Sequence, residues 1–79
     1  MKNILIVFGG NSFEHEVSIK SASNIYNYID KTIFNVNSLY ISKEGIWYEF
    51  DNNFEDINTS KLKKIYNIIW SVSFTYWIY

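Results

Sequence analysis

The feature that most constrains this chain is its first strand candidate. Residues 3–8 read NILIVF, and the apolar part from Ile4 to Phe8 is unbroken before Gly9-Gly10 ends it. A run of five apolar residues without alternation suits a strand covered on both faces, as in a parallel sheet, rather than one with a wet side. Two glycines directly after it allow a sharp turn and a close approach of backbone to whatever sits there. Asn11 and Ser12 then stand as helix N-cap candidates, with Glu14 three residues after Asn11 in the pattern of a capping box. A helix is expected from about Phe13 to Ile29, with Val17, Ile19, Ala22, Ile25, Tyr26 and Ile29 at mostly helical spacing and no glycine or proline between them.

Beyond Asp30-Lys31 the pattern changes period. Residues 33–41, IFNVNSLYI, predict a second strand. Ser42-Lys43-Glu44-Gly45 predicts a turn, and Ile46 to Phe50 a short third strand whose Trp47, Tyr48 and Phe50 form core or cover for a small sheet. Residues 51–60 read as a polar loop anchored by Phe54 and Ile57, and Lys61 to Ile69 as the start of either a helix or a strand. The order strand, glycine turn, helix, strand, hairpin defines an α/β class with a parallel strand–helix–strand start, whose crossover is expected to be right-handed.

Composition narrows the function classes. The 79 residues suffice for one small domain, and a chain of this size buries only roughly 60–65% of the surface it exposes when unfolded. There is no cysteine to staple it, and a single histidine argues against a structural zinc site. Seven basic and eight acidic residues leave a net charge of −1. The densest cationic cluster, Lys61, Lys63 and Lys64, reads as a solvated face, so no nucleic-acid partner is expected. The apolar run after Lys2 is shorter than a signal-peptide core, and the 15 residues from Ile65 to Tyr79 are fewer than the roughly 20 needed to span a bilayer, so no membrane partner is expected.

The loop after a first parallel strand is where a ligand usually sits, because strand ends and a helix N-terminus converge there. Here it reads GGNSFEHEVS, residues 9–18. It is neither a phosphate loop ending in Gly-Lys-Ser/Thr nor a GxGxxG dinucleotide fingerprint. Glu14 and Glu16 in the first turn disfavour a phosphate ligand and favour a cationic one such as an ammonium group. Gly9 and Gly10 are structural on any reading. Glu14 reads equally as a capping residue, Ser18 and Ser21 as helix-surface or packing serines, and His15 is expected to face solvent.

The string from Gly9 to Ala22, GGNSFEHEVSIKSA, resembles the N-terminal signature of D-alanine–D-alanine ligases, roughly Gly-Gly-x-Ser-x-Glu-x-x-Val-Ser-x-x-Ser. Gly9, Gly10, Ser12, Glu14, Val17, Ser18 and Ser21 match, and Tyr40-Ile41 with Gly45-Ile46-Trp47 resembles the family's second strand, turn and third strand. The resemblance covers residues 1 to about 57. It implies a partial Rossmann-like domain of the kind that precedes an ATP-grasp domain, and a cytoplasmic enzyme of peptidoglycan precursor synthesis. In such enzymes ATP phosphorylates the carboxylate of one D-alanine, the amine of a second attacks the acyl phosphate, and Mg2+ (or Mn2+) neutralises the phosphates. It further implies that Glu14 receives the ammonium of the first D-alanine, that Ser18 helps hold the site, and that Gly9, Gly10 and Ser12 shape the loop. No catalytic residue and no metal ligand is expected in this chain, and ATP and the metal belong to family segments that have no counterpart in it.

The family pattern fades after residue 57. Residues 65–79, IYNIIWSVSFTYWIY, carry no His-Gly where relatives have one. The expected division is a partial ligase domain at 1–57 and a divergent apolar tail at 58–79, read as a truncation or frameshift product, with a selected terminal strand or helix as the alternative. Two further readings stay open beside an inactive ligase portion. One is an interaction module that complements separately encoded ligase domains or pairs with a second copy. The other is a gene remnant without function.

Overall fold

The computed structural model describes residues 2–11, 13–65 and, as backbone, 74–78. The apolar run forms β1 (Lys2–Gly9), an interior strand whose residues Ile4 to Phe8 are each at most 5% exposed. It lies beside β2 (Phe34–Ile41) in parallel, with Lys2 opposite Phe34 and Gly9 opposite Ile41. The connection between them is α1 (His15–Tyr28). The chain then turns back through β3 (Trp47–Phe50), antiparallel to β2, and β4 (Lys63–Lys64), antiparallel to β3. The α/β class with a parallel start followed by antiparallel strands is therefore the observed architecture.

Residues 74–78 form β5 (Phe74–Ile78), parallel to β1 on its other side with a register irregularity between Asn3 and Ile4. The sheet order is β4-β3-β2-β1-β5. The choice between helix and strand for Lys61–Ile69 is met by a single 3₁₀ turn at Thr59–Lys61 and the two-residue β4, while residues 66–69 lie outside the described residues. Among the described residues no helix is long and apolar enough to cross a membrane.

The strand period of two sorts β1 onto two faces. Ile4, Ile6 and Phe8 join Ala22, Tyr40, Tyr48 and Phe50 in the core beneath the helix, with Ile19, Ile25, Tyr26, Phe54 and Ile57 packed against it. Leu5 and Val7 join Leu39 on the opposite face, together with Ile41, Trp47 and Ile65. So Tyr48 and Phe50 are core beneath the helix, Trp47 serves the other face, and both loop anchors reach the core. Phe8 is the hub of the aromatic packing, with ring centroids 5.0 Å from Phe50, 5.2 Å from Phe54 and 5.4 Å from Tyr40.

The helix departs from expectation at its start. It begins at His15 rather than Phe13, with Glu14 in the N-cap position and no side-chain cap. Asn11 is an exposed bend residue, so the capping box led by Asn11 does not form, and Ser12 lies outside the described residues. The reason is the turn itself. Gly9 and Gly10 take φ of +100° and +98°, and helical geometry begins only at His15. Val17 also leaves the expected face and is 60% exposed. The buried stripe is His15, Ile19, Ala22 and Tyr26, spaced four, three and four, which places Val17 on the far side of the helix.

Candidate functional site

The C-terminal ends of β1 and β2 lie side by side, and the N-terminus of α1 faces them. At that junction Gly9 leaves no room for a side chain. A Cβ there would stand 2.1 Å from the Ile41 carbonyl oxygen, at a φ that L-residues rarely adopt. Gly10, by contrast, has open space around it and needs glycine for its φ alone. The Gly10 N–H donates to the same Ile41 oxygen at 2.9 Å, which pins the turn to the end of β2.

Two helix side chains fasten the turn from the other side. Ser18 Oγ accepts the Gly9 N–H at 2.9 Å. The imidazole of His15 donates from Nδ1 to the Gly10 carbonyl, and its Nε2 stands 2.9 Å from the Tyr40 hydroxyl. His15 is only 3% exposed, which corrects the expectation that it faces solvent. Its spacing with Ile19, Ala22 and Tyr26 carried the signal, because it extends the apolar stripe back by one turn; the polar neighbours Glu14 and Glu16 obscured it. Tyr40 is likewise a site residue that reading the sequence missed. Its phenol is pushed above the ordinary tyrosine range first by burial, then by the nearby carboxylates of Glu16 and Glu44 and by Tyr48.

The remaining expected residues sit as follows. Glu14 is exposed at the helix start, and its carbonyl accepts the Ser18 N–H at 2.7 Å while its side chain does not cap the helix. The structure therefore brings Ser18 into direct contact with Gly9, next to Gly10, and leaves Glu14 exposed at the start of the helix. Ser21 is exposed. Glu16 reaches Lys43 at 3.9 Å, a solvent-exposed pair that adds little stability. Two open clefts flank this junction. One, of about 470 Å3, is lined by His15, Glu16, Tyr40, Ser42 and Phe54 among others; the second, of about 370 Å3, by Asn11, Phe13, His15, Glu16 and Lys43. The described lining of neither cleft includes Glu14 or Ser18. Among the described residues no group of three or more His, Cys, Asp or Glu side chains is placed to hold a metal ion.

A parallel strand pair whose glycine turn is clamped onto a helix N-terminus defines the class as an α/β domain. Comparison with known proteins gives the family. The model for the D-Ala–D-Ala ligase N-terminus matches residues 3–69, and the chain belongs to that family. Among curated proteins it is 48% identical over 62 residues to the D-alanine–D-alanine ligase of Staphylococcus epidermidis, a match covering 77% of this chain and 17% of the relative. It is 39% identical over 67 residues to that of Staphylococcus carnosus, covering 81% and 19% respectively. Among solved structures, the VanG D-Ala:D-Ser ligase from Enterococcus faecalis superposes with a TM-score of 0.65 at 39% identity, over 68% of this chain and 16% of that one. The D-alanine–D-alanine ligase from Coxiella burnetii does so with a TM-score of 0.62 at 38% identity, over 70% and 16%. The chain thus spans less than a fifth of the length of these relatives.

Proposed function

We propose that this chain supplies the substrate-amine corner of an ATP-dependent D-alanine–D-alanine ligase of cytoplasmic peptidoglycan precursor synthesis. In this reading the exposed carboxylate of Glu14 receives the ammonium of a D-alanine, and Ser18 holds the turn that presents it. Gly9, Gly10 and Ser12 shape that turn. The observation that carries the reading is the clamp of Ser18 Oγ on the Gly9 N–H, which ties the family's glycine pair to the helix that begins just after Glu14. A charge-assisted hydrogen bond from an ammonium to this carboxylate is worth about 1.5–3 kcal/mol, enough to orient a substrate and too little to bind it tightly.

ATP and Mg2+ (or Mn2+) belong to the whole ligase in this proposal. The described residues do not fit either group, having neither a phosphate-cradling loop nor a metal-binding cluster. In this proposal the chain alone is inactive, and the acyl-phosphate chemistry falls to segments that relatives carry beyond the portion matched here. The test has two arms. D-alanine-dependent ATP hydrolysis is measured on the chain alone and after mixing with a polypeptide that carries the ATP-grasp part of a relative. No turnover alone, and turnover on mixing that Glu14→Gln abolishes, supports the proposal. Turnover by the isolated chain, or mixed-system activity indifferent to Glu14→Gln, contradicts it.

A further inference from the structure

His15 is buried, sits on the first turn of α1, and has both ring nitrogens engaged. Its partners are far apart in the chain: the Gly10 carbonyl is five residues away and the Tyr40 hydroxyl twenty-five. A carbonyl oxygen can only accept, so Nδ1 must carry a proton. In the neutral ring Nε2 is then bare, and the Tyr40 O–H must be the donor to it. One imidazole therefore connects the turn after β1 to the end of β2, through a chain that runs from Tyr40 O–H to His15 to Gly10 C=O. The same peptide unit neighbourhood is bonded again, since the Gly10 N–H goes to the Ile41 oxygen, next to Tyr40.

We infer that His15 is a positioning residue, held as the Nδ1–H tautomer by the Gly10 carbonyl with the Tyr40 hydroxyl donating to Nε2, and that it fixes the Gly9–Gly10 turn and with it the direction in which the helix start presents Glu14. The role of the turn rests on the function proposed above; the tautomer and the fastening of the turn do not. Charged and titratable groups that face the ring's surroundings are Glu16 from the helix, Tyr40 from β2, and Lys43 and Glu44 from the turn after it.

The experiment uses the full chain in three measurements. Long-range proton–nitrogen correlation spectra of the imidazole are expected to show Nδ1 protonated and Nε2 bare, and an Nε2–H tautomer overturns the inference. Amide hydrogen exchange is then compared in His15→Leu, His15→Asn and Tyr40→Phe. Loss of a hydrogen bond at the turn is expected to speed exchange of the Gly9 and Gly10 amides roughly tenfold in His15→Leu. His15→Asn, whose amide nitrogen takes the place of Nδ1, restores most of the protection. Equal acceleration at the Ile29 amide, at the far end of the helix, means general destabilisation and overturns the inference. If His15→Leu does not fold, Tyr40→Phe still decides: the Gly10 carbonyl is expected to keep Nδ1 protonated while the aromatic packing stays intact, and a switch to the Nε2–H tautomer overturns the inference. In the third measurement D-alanine is added. A wild-type chain that ignores D-alanine while the first two results hold removes the proposed function and leaves His15 as the fastener of the turn.

Discussion

The two ends of α1 are both entered through polar loops, and they are built differently. At the C-terminal end every described bond is local. Asp30 Oδ1 accepts the Thr32 N–H at 2.9 Å and the Thr32 hydroxyl at 2.5 Å, and the Asp30 carbonyl accepts the N–H groups of Ile33 and Phe34. Lys31 reaches back to the Tyr26 carbonyl and lies 4.3 Å from the centroid of that ring. At the N-terminal end the bonds cross the fold: Ser18 to Gly9, His15 to Tyr40, Gly10 to Ile41. A loop closed within five residues needs nothing from the rest of the protein. A loop held by a buried histidine and a second strand has its shape set by the tertiary structure, and that is the condition for presenting a carboxylate in a fixed direction.

The comparison can be broken hardest at the glycines. Gly9→Ala places a Cβ against the Ile41 carbonyl and is expected to cost about 3–5 kcal/mol, combining a strained φ with a displaced β1–β2 junction. Gly10→Ala meets no atom and is expected to cost about 1–2 kcal/mol through φ alone. Urea unfolding monitored by circular dichroism reads both, and equal costs would show that the Gly9 approach to Ile41 is looser than described. Ser18→Ala follows, at about 1–2 kcal/mol, because it leaves the Gly9 N–H without its acceptor. A Ser18→Ala chain as stable as wild type, with unchanged exchange at Gly9, would mean that the clamp does not hold the turn.

The two ends also titrate in opposite directions. The Tyr40 phenol is raised in the folded state, first by burial and then by Glu16, Glu44 and Tyr48. Its contribution is present below the ordinary tyrosine range and is lost as pH rises through the folded value. Tyr40→Phe is expected to flatten the alkaline limb of the stability profile. Asp30 is lowered in the folded state, chiefly by the Thr32 hydroxyl and then the Thr32 N–H, with a further contribution from Lys31. Its contribution is present above the ordinary carboxylate range and is lost as pH falls through the folded value. The group is fully exposed, so Asp30→Asn is expected to change the acid limb least of all these variants.

What was legible in the sequence follows the same division. The Ile4–Phe8 run, with no alternation and too short for a signal-peptide core, pointed to an interior strand, and the glycine pair marked its end. The change of period after Asp30 located β2, and Ser42–Gly45 located the hairpin. The Asp30-Lys31 exit was visible because its chemistry is local. His15 and Tyr40 were not, because nothing near either residue names the other across twenty-five positions. A histidine between two glutamates reads as wet until the helix is wound and the ring is seen to share a face with Ala22. The helix start was misplaced for a related reason: the positive-φ turn at Gly9 and Gly10 delays the helix to His15, past where local capping preferences start it.

The role proposed for the turn from Gly9 to Ser18 is to present the Glu14 carboxylate to a substrate ammonium. Titrating the isotope-labelled chain with D-alanine and, separately, with N-acetyl-D-alanine, which lacks the charge, tests it directly by amide chemical shifts. For a ligand held by one charge-assisted bond, half-saturation is expected at about 10 mM or above. The account predicts shifts confined to Gly10 and to Glu14 through Ser18 with D-alanine, and none with the acetylated compound. Equal responses to both compounds, or no response at these amides, would contradict it.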